Sequence, residues 1–248
     1  VWEPVRLDEA AALPGVAQAT VGTASLPEAA RLTFESKYGI PMLRNYGQTE
    51  FAGAIAFERL ADVKAGLRPK DTVGRVAPGV EVAILGPEGE PLPTGDIGEI
   101  AARAESSMSG YLDSSGEPAD PGVWLRTGDL GKLDEDGFVY VVGRVRDMVV
   151  CGGFNVYPAQ VEAALNDLPE VADSAMAGLP DERLGEVPVA AVVLVPGVTS
   201  DAEKIRQQLR SRLAPYELPR QVKFVTAIPR LESGKVDRPG VARLVQGA

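Results

Sequence analysis

The chain has 248 residues, 45% of them hydrophobic and 24% charged, with a formal net charge of −10, a soluble, globular balance with room for one or two cored domains. The acidic excess, with no basic run, argues against non-specific nucleic-acid binding and for small-molecule partners. A single cysteine excludes an intrachain disulfide and a cysteine-rich metal site, and the absence of histidine removes imidazole as a general base.

Chemistry must then rest on carboxylates, Lys, Tyr or a substrate activated by phosphate. There is no apolar run of about 18 residues and no charged, hydrophobic, small-residue leader. Neither a membrane span nor a secretory signal is expected, and the location is read as cytoplasmic.

Residues 27–39, PEAARLTFESKYG, place Ala30, Phe34 and Tyr38 at helical spacing, with Pro27 near the start and Gly39 just past the end. PMLRNYG comes next as a short strand and turn. From Thr72 to Arg103 short apolar runs, VEVAIL and GEIAAR, are broken by the turn-rich GPEGEPLPTGD, the pattern of a compact β subdomain. DEDG, Asp134 to Gly137, lies between apolar alternations and predicts a hairpin that ends at Gly143 to Asp147.

After Asp147 the pattern is mixed. It predicts a strand MVVC, a helix PAQVEAALNDL, strands near ADSAMAGL and VPVAAVVLV, and a helix DAEKIRQQLRSRL capped by Ser200 or Asp201. A strand QVKFVTAI and a final helix from Pro239 to Val245 complete a tail able to fold as its own α+β domain.

Three motifs stand in order along the chain: NYGQTE at Asn45–Glu50, LRTGDLGKLDEDGFVYVVGRVRD at Leu125–Asp147, and LESGKVDR at Leu231–Arg238. Together they resemble the acyl-adenylate-forming (AMP-binding) superfamily, which includes acyl- and aryl-CoA ligases, peptide-synthetase adenylation domains and beetle luciferases. GTASL, Gly22 to Leu26, is similar to the family's turn against the adenine, which implies nucleotide contacts at Gly22 and Ala24. The family's Ser/Thr/Gly-rich phosphate loop does not occur in this sequence. The chain therefore resembles the C-terminal half of an acyl/aryl-CoA ligase, with Val1 read as a fragment or split-chain boundary, the N-terminal half missing and the chain alone inactive.

The fold class this implies is α/β and α+β. Residues 1–147 would be the end of a large adenylate-forming domain with a β subdomain, and residues 148–248 a small, mobile α+β domain turning on the hinge residue Asp147.

The resemblance also implies roles for individual residues. Tyr46 offers a flat face to the adenine, Gly47 lets the backbone pass close to the nucleotide, the Thr49 hydroxyl contacts phosphate, and Glu50 is a hard oxygen ligand for Mg2+. Asp129 accepts from the ribose hydroxyls, a task suited to an acceptor-only carboxylate. Its twin TGD at Thr94–Asp96 reads as a hairpin turn, because only the later copy is followed by LGKLDEDGFVYVVGR. Arg144 reaches ribose or phosphate oxygens with its planar fork, and Arg146 is a solvated neighbour of the hinge. Lys235, on a mobile loop, bridges the substrate carboxylate and the α-phosphate.

In CGGFNVYP, Gly152, Gly153 and Phe154 correspond to the loop lining the pantetheine path of CoA ligases, and this segment favours CoA over a carrier protein as acceptor. Cys151, with no histidine to lower its pKa, reads as a small apolar residue. FAGAIAF, Phe51 to Phe57, is apolar and expected to line part of the acyl pocket, which favours fatty or aryl acids. The implied substrates are a carboxylic acid, ATP with Mg2+, and CoA. The alternatives are a carrier-protein-loading adenylation enzyme and a non-catalytic half-enzyme interaction module.

Overall fold

The structure, a computed structural model, describes residues 12–22, 26, 28–112, 114, 116, 117, 122–232 and 234–247. These form two units that divide between Val141 and Val142. The first contains β1 (Ala19–Val21), α1 (Glu28–Tyr38), β2 (Met42–Gln48), β3 (Gly53–Phe57), α2 (Leu60–Lys64), β4 (Gly74–Val76), β5 (Val80–Leu85), β6 (Gly98–Ala104), β7 (Leu125–Leu133) and the start of β8 (Phe138–Arg144). Its strands lie in the order β1-β2-β3-β4-β8-β7-β6-β5, with β1 parallel to β2.

The sheet is buried where it must hold the site. β3 sends Ile55 into one cluster with Phe51, Ala102 and Leu125, and Ala56 into another with Ile84, Ile100 and Val139, because successive side chains of a strand point to opposite faces. The predicted turn between β7 and β8 is built by Asp134: its Oδ1 accepts from the backbone N–H of Asp136 at 3.1 Å and of Phe138 at 2.8 Å. Gly137 supplies the positive φ of 78° that closes it. The Tyr140 hydroxyl donates to Asp134 Oδ2 at 2.9 Å, and burial together with this bond pushes the phenol up to about 12.

Helix α1 spans Glu28–Tyr38, as the spacing predicts. Phe34 and Tyr38 do pack, with ring centroids 4.9 Å apart, but Ala30 is exposed and the buried residue is Arg31, only 6% accessible. Arg31 is held by charge. It donates to Glu28 one turn before it and to Glu35 one turn after it, and Arg44 and Arg68 meet the same two carboxylates at 2.8 Å and 3.1 Å. Buried Glu58 accepts from the Arg44 N–H at 2.7 Å, and burial raises its carboxyl above the ordinary value.

The second unit takes over within β8 and continues through β9 (Val149–Cys151), β10 (Phe154–Val156), α3 (Pro158–Asn166), β11 (Val171–Asp181), β12 (Gly185–Leu194), α4 (Ala202–Leu209), β13 (Gln221–Phe224) and α5 (Arg238–Gln246). Its sheet runs β10-β9-β12-β11, with β13 added parallel to β12. The β11–β12 hairpin pairs from Val171↔Leu194 to Asp181↔Gly185, and Ala175, Met176, Val189, Ala190, Ala191 and Val192 are fully buried in it.

Val161 and Leu165 of α3, Ile205 and Leu209 of α4, and Val241 and Val245 of α5 pack into the same core. Asp201, not Ser200, caps α4, accepting from the Lys204 N–H at 2.8 Å. The helix stops at Leu209, short of the predicted Leu213. Among the described residues no helix is long and apolar enough to cross a membrane.

The Arg31 bond holds the Glu28 carboxyl at about 2, against an ordinary 4.5. A depressed folded-state pKa contributes stability above the unfolded value and loses it as pH falls through the folded one. Glu28→Gln should therefore lower the urea midpoint of the chain at pH 7, with the deficit shrinking as the pH is taken from 4.5 toward 2. A deficit independent of pH would remove charge from the account.

Candidate functional site

The first unit brings two of the three motifs into direct contact. β2 presents Tyr46 and Gln48 on one face, two residues apart as the pleat requires, and β7 carries Asp129, 4% exposed. The Tyr46 hydroxyl and the Gln48 Nε2 both donate to Asp129 Oδ2 at 2.9 Å, across 83 and 81 residues of chain. Gln48 Nε2 also reaches the Thr127 carbonyl at 2.8 Å, and Asp129 N–H donates to the Thr127 hydroxyl at 3.1 Å. The twin Asp96 sits in an exposed turn. The two TGD copies are thus told apart by burial and partners.

Gly22 follows β1 directly and runs beside Asn45, whose carbonyl a Cβ at position 22 would approach to 3.4 Å. Ala24 lies outside the described residues. At Gly47 a Cβ would stand 2.0 Å from the Gly53 carbonyl oxygen. The close approach this glycine serves within the chain is to β3, at the bulge where pairing shifts between Tyr46 and Gly47.

Thr49 and Glu50 occupy a 3-10 turn closed by the Ala52 N–H on the Thr49 carbonyl at 2.9 Å. Thr49 is exposed. Glu50 is clasped by a distant segment: its carbonyl accepts from the Met108 N–H at 2.7 Å and its Oε1 from the Tyr111 hydroxyl at 2.8 Å. The bond to Glu50 raises the Tyr111 phenol.

FAGAIAF divides. Phe51 and Ile55 belong to the core, whereas Ala54 and Phe57 line a cavity of about 310 Å3 together with Thr20, Leu43 and Asn45.

The second unit holds the remaining residues. Arg144 precedes a 3-10 turn, Val145–Asp147, and Asp147 Oδ2 accepts from Arg238 Nε at 3.2 Å. Exposed Arg146 lies 3.6 Å from Asp147. Gly152 and Gly153 form the two-residue turn joining β9 to β10, with φ of 60° and 85° and Cys151 paired to Phe154. Both left-handed positions are what a type I′ hairpin demands, so two glycines in succession are the natural solution. Phe154 is exposed and stacks on Tyr216 with centroids 4.6 Å apart and planes 12° apart. A cavity of about 300 Å3 beside Gly152 is lined by these two rings, Leu184 and Arg220.

Lys235 is exposed at a hydrogen-bonded turn rather than on an open loop. The Leu231 N–H donates to its carbonyl and the Gly234 N–H to the Leu231 carbonyl, both at 2.8 Å, and Arg230 bridges to Val236. The side chain of Lys235 projects from this anchored tip, next to Gly234 at φ 80°. Ser233 lies outside the described residues.

The AMP-binding enzyme family model matches residues 3–112, and that of the AMP-binding enzyme C-terminal domain matches residues 160–235. The chain belongs to the AMP-binding enzyme family. Among curated relatives it is 38% identical over 241 residues to the indoleacetate–CoA ligase of Aromatoleum aromaticum, an alignment covering 96% of this chain and 46% of the relative. The ATP-bound structure of MatB from Rhodopseudomonas palustris superposes with a TM-score of 0.79 at 33% identity, covering 93% of this chain and 45% of that one. The amide bond synthetase McbA from Marinactinospora thermotolerans gives 0.81 at 34% identity, covering 92% and 47%. The chain spans about half the length of the relatives it matches.

Several residues of this chain are assigned no role from the sequence. Gln48 lies inside a quoted motif and shares a strand face with Tyr46, so period-two reading could have found it. Tyr111 and Tyr216 carry no local signal, because their partners come from distant parts of the chain. Among the described residues no three His, Cys, Asp or Glu side chains cluster as a metal site. Glu50 alone fits Mg2+ only in the way nucleotide-bound magnesium is held, through one or two carboxylates with the remaining oxygens from phosphate and water.

On the ribose role that the resemblance implies for Asp129, Asp129→Ala should weaken ATP binding by the loss of charge-assisted bonds of about 1.5–3 kcal/mol each, and should also release the Tyr46 and Gln48 donors. Asp96→Ala should leave nucleotide affinity unchanged. Equilibrium binding of ATP to an enzyme containing this chain checks the pair, and a larger loss in the Asp96 variant would reassign the ribose contact.

Proposed function

We propose that an enzyme containing this chain is an ATP-dependent carboxylate–CoA ligase. In the first step a substrate carboxylate oxygen attacks the α-phosphorus of ATP, forming the acyl-adenylate and expelling pyrophosphate. In the second the CoA sulfur, having lost its proton, attacks the acyl carbonyl and expels AMP, leaving a thioester. Neither step needs an imidazole, which suits a chain without histidine.

The observation that carries the reading is the buried Asp129 carboxylate bonded to Tyr46 and Gln48. It sets a negative acceptor beside an aromatic face, the pair of features that ribose and adenine call for. Gly22 and Ala24 complete the nucleotide site, Arg144 reaches ribose or phosphate, and Thr49 donates to a phosphate oxygen. Glu50 would hold the Mg2+ that accompanies ATP, which would neutralise phosphate charge. Lys235 places a compact cation on a flexible stem where negative charge develops between carboxylate and α-phosphate.

The Gly152–Gly153 turn and Phe154 supply the path for the CoA arm. Asp147 is the hinge about which residues 148–248 turn, presenting Lys235 for the first step and the glycine turn for the second. The acid is fatty or aryl on the strength of the apolar segment FAGAIAF, from which Ala54 and Phe57 reach a cavity also lined by Arg44, Glu58 and Arg59. The enzyme acts in the cytoplasm.

Lys235→Ala should abolish acyl-adenylate formation, read as pyrophosphate exchange, while sparing thioester formation from supplied acyl-adenylate. Comparable losses in both steps would reject the two-conformation assignment, in which Lys235 acts only in the first step. A pyrophosphate-release panel of indoleacetate, benzoate, 4-coumarate, octanoate and phenylalanine should show preference for the aryl or fatty acids. Adenylation without any CoA thioester product would turn the assignment toward a carrier-protein acceptor.

A further inference from the structure

Arg238 closes the LESGKVDR motif and is the first residue of α5, three positions after Lys235. Its guanidinium is largely enclosed, with Nε and Nη1 engaged. Nε donates to Asp147 Oδ2 at 3.2 Å, and Nη1 donates to Glu162 Oε1 and to the Met176 carbonyl, each at 2.6 Å. Glu162 Oε1 accepts in turn from the Met176 N–H at 2.9 Å. One side chain therefore ties together the 145–147 turn, helix α3, the buried middle of β11 and the start of α5. A second link runs from α5 to the lysine turn, where the Asp237 N–H donates to the Pro229 carbonyl at 3.0 Å and Val236 bridges Arg230.

The glycine turn has a different tether. Gly152 follows Asp147 through β9, and its N–H donates to the Leu184 carbonyl at 2.8 Å, with no bond to Arg238 among those that hold it. The two devices at the ends of this unit are thus fastened to Asp147 by separate routes, one through a charged side chain and one through the backbone.

Resting on the two-step reading above, we propose that Arg238 is a positioning residue: by binding Asp147 it makes the hinge residue and the Lys235 turn one rigid piece, so that movement at Asp147 is delivered to the lysine. Lys cannot substitute, because a single ammonium does not span two carboxylates and a carbonyl in the fork geometry of a guanidinium. The effect must fall on the adenylation step, which uses Lys235, and pass over the thioester step, which uses the glycine turn.

The test is made in an active enzyme containing this chain, with whichever acid gives the highest rate in the panel above. Arg238→Lys, Arg238→Gln and Asp147→Asn are each assayed for ATP–pyrophosphate exchange and for thioester synthesis from synthetic acyl-adenylate. Exchange should fall by about tenfold or more through kcat with little change in the KM for ATP, while thioester synthesis stays within about threefold. Asp147→Asn keeps the Arg238 bonds to Glu162 and Met176, so it decides the matter alone should the Arg238 variants not fold.

Parallel losses in both steps, or full exchange in Arg238→Lys and Asp147→Asn, would overturn the positioning role. Lys235→Ala run alongside separates the two failures. Selective loss of exchange there, with parallel losses in the Arg238 variants, rejects positioning alone; retention of exchange by Lys235→Ala rejects the assignment of Lys235 to the adenylation step and the positioning role with it.

Discussion

A carboxylate removed from water must be met by donors, and the first unit is arranged around that requirement at Asp129. The residue is 4% exposed, and leaving such a charge unpaired would cost several kcal/mol. Tyr46 and Gln48 meet it from β2, so the strand bearing NYGQTE is joined to the strand bearing RTGD by side chains that the nucleotide reading also needs. The two hydrogen bonds also set an aromatic ring beside a carboxylate, the pair on which the proposed nucleotide site rests.

Charge pairing holds two other partly enclosed clusters of this histidine-free chain. Arg31, Arg44 and Arg68 interleave with Glu28, Glu35 and Glu58 under α1, and Arg238 lies among Asp147, Glu162 and the Met176 carbonyl. Guanidinium suits these places because it stays charged and presents several donors in one plane. Such pairs add little net stability over an apolar core of the same shape, but removing one member is severe. Their value lies in fixing which elements meet, and the Arg238 cluster does this for the body that carries Lys235.

Backbone geometry handles the remaining devices. A two-residue turn with both residues left-handed accounts for Gly152 and Gly153 without any ligand, so the same glycines that the CoA reading invokes are required for β9 to meet β10. The Lys235 turn is likewise pinned by its own hydrogen bonds. An exposed side chain on an anchored turn keeps rotamer freedom while its Cα stays put, which suits the role proposed for Lys235.

Motif order, the absence of histidine and the period-two and helical spacings were legible in the sequence, because each is a local property of neighbouring residues. They placed the family, the DEDG hairpin and the strands and helices of the tail. Tertiary structure alone decided what distant residues do to one another. The α1 spacing sets Ala30, Phe34 and Tyr38 in one row, yet the helix buries Arg31, because Glu28 and Glu35 of the same helix neutralise it and are themselves met by Arg44 and Arg68 from distant parts of the chain. FAGAIAF reads as uniformly apolar, yet β3 lies inside the sheet and divides its side chains between core and cavity. Tyr216 against Phe154, Tyr111 against Glu50 and Arg238 against Asp147 are contacts across long stretches of chain. No spacing rule reports such pairs, since their geometry exists only once the sheets have closed.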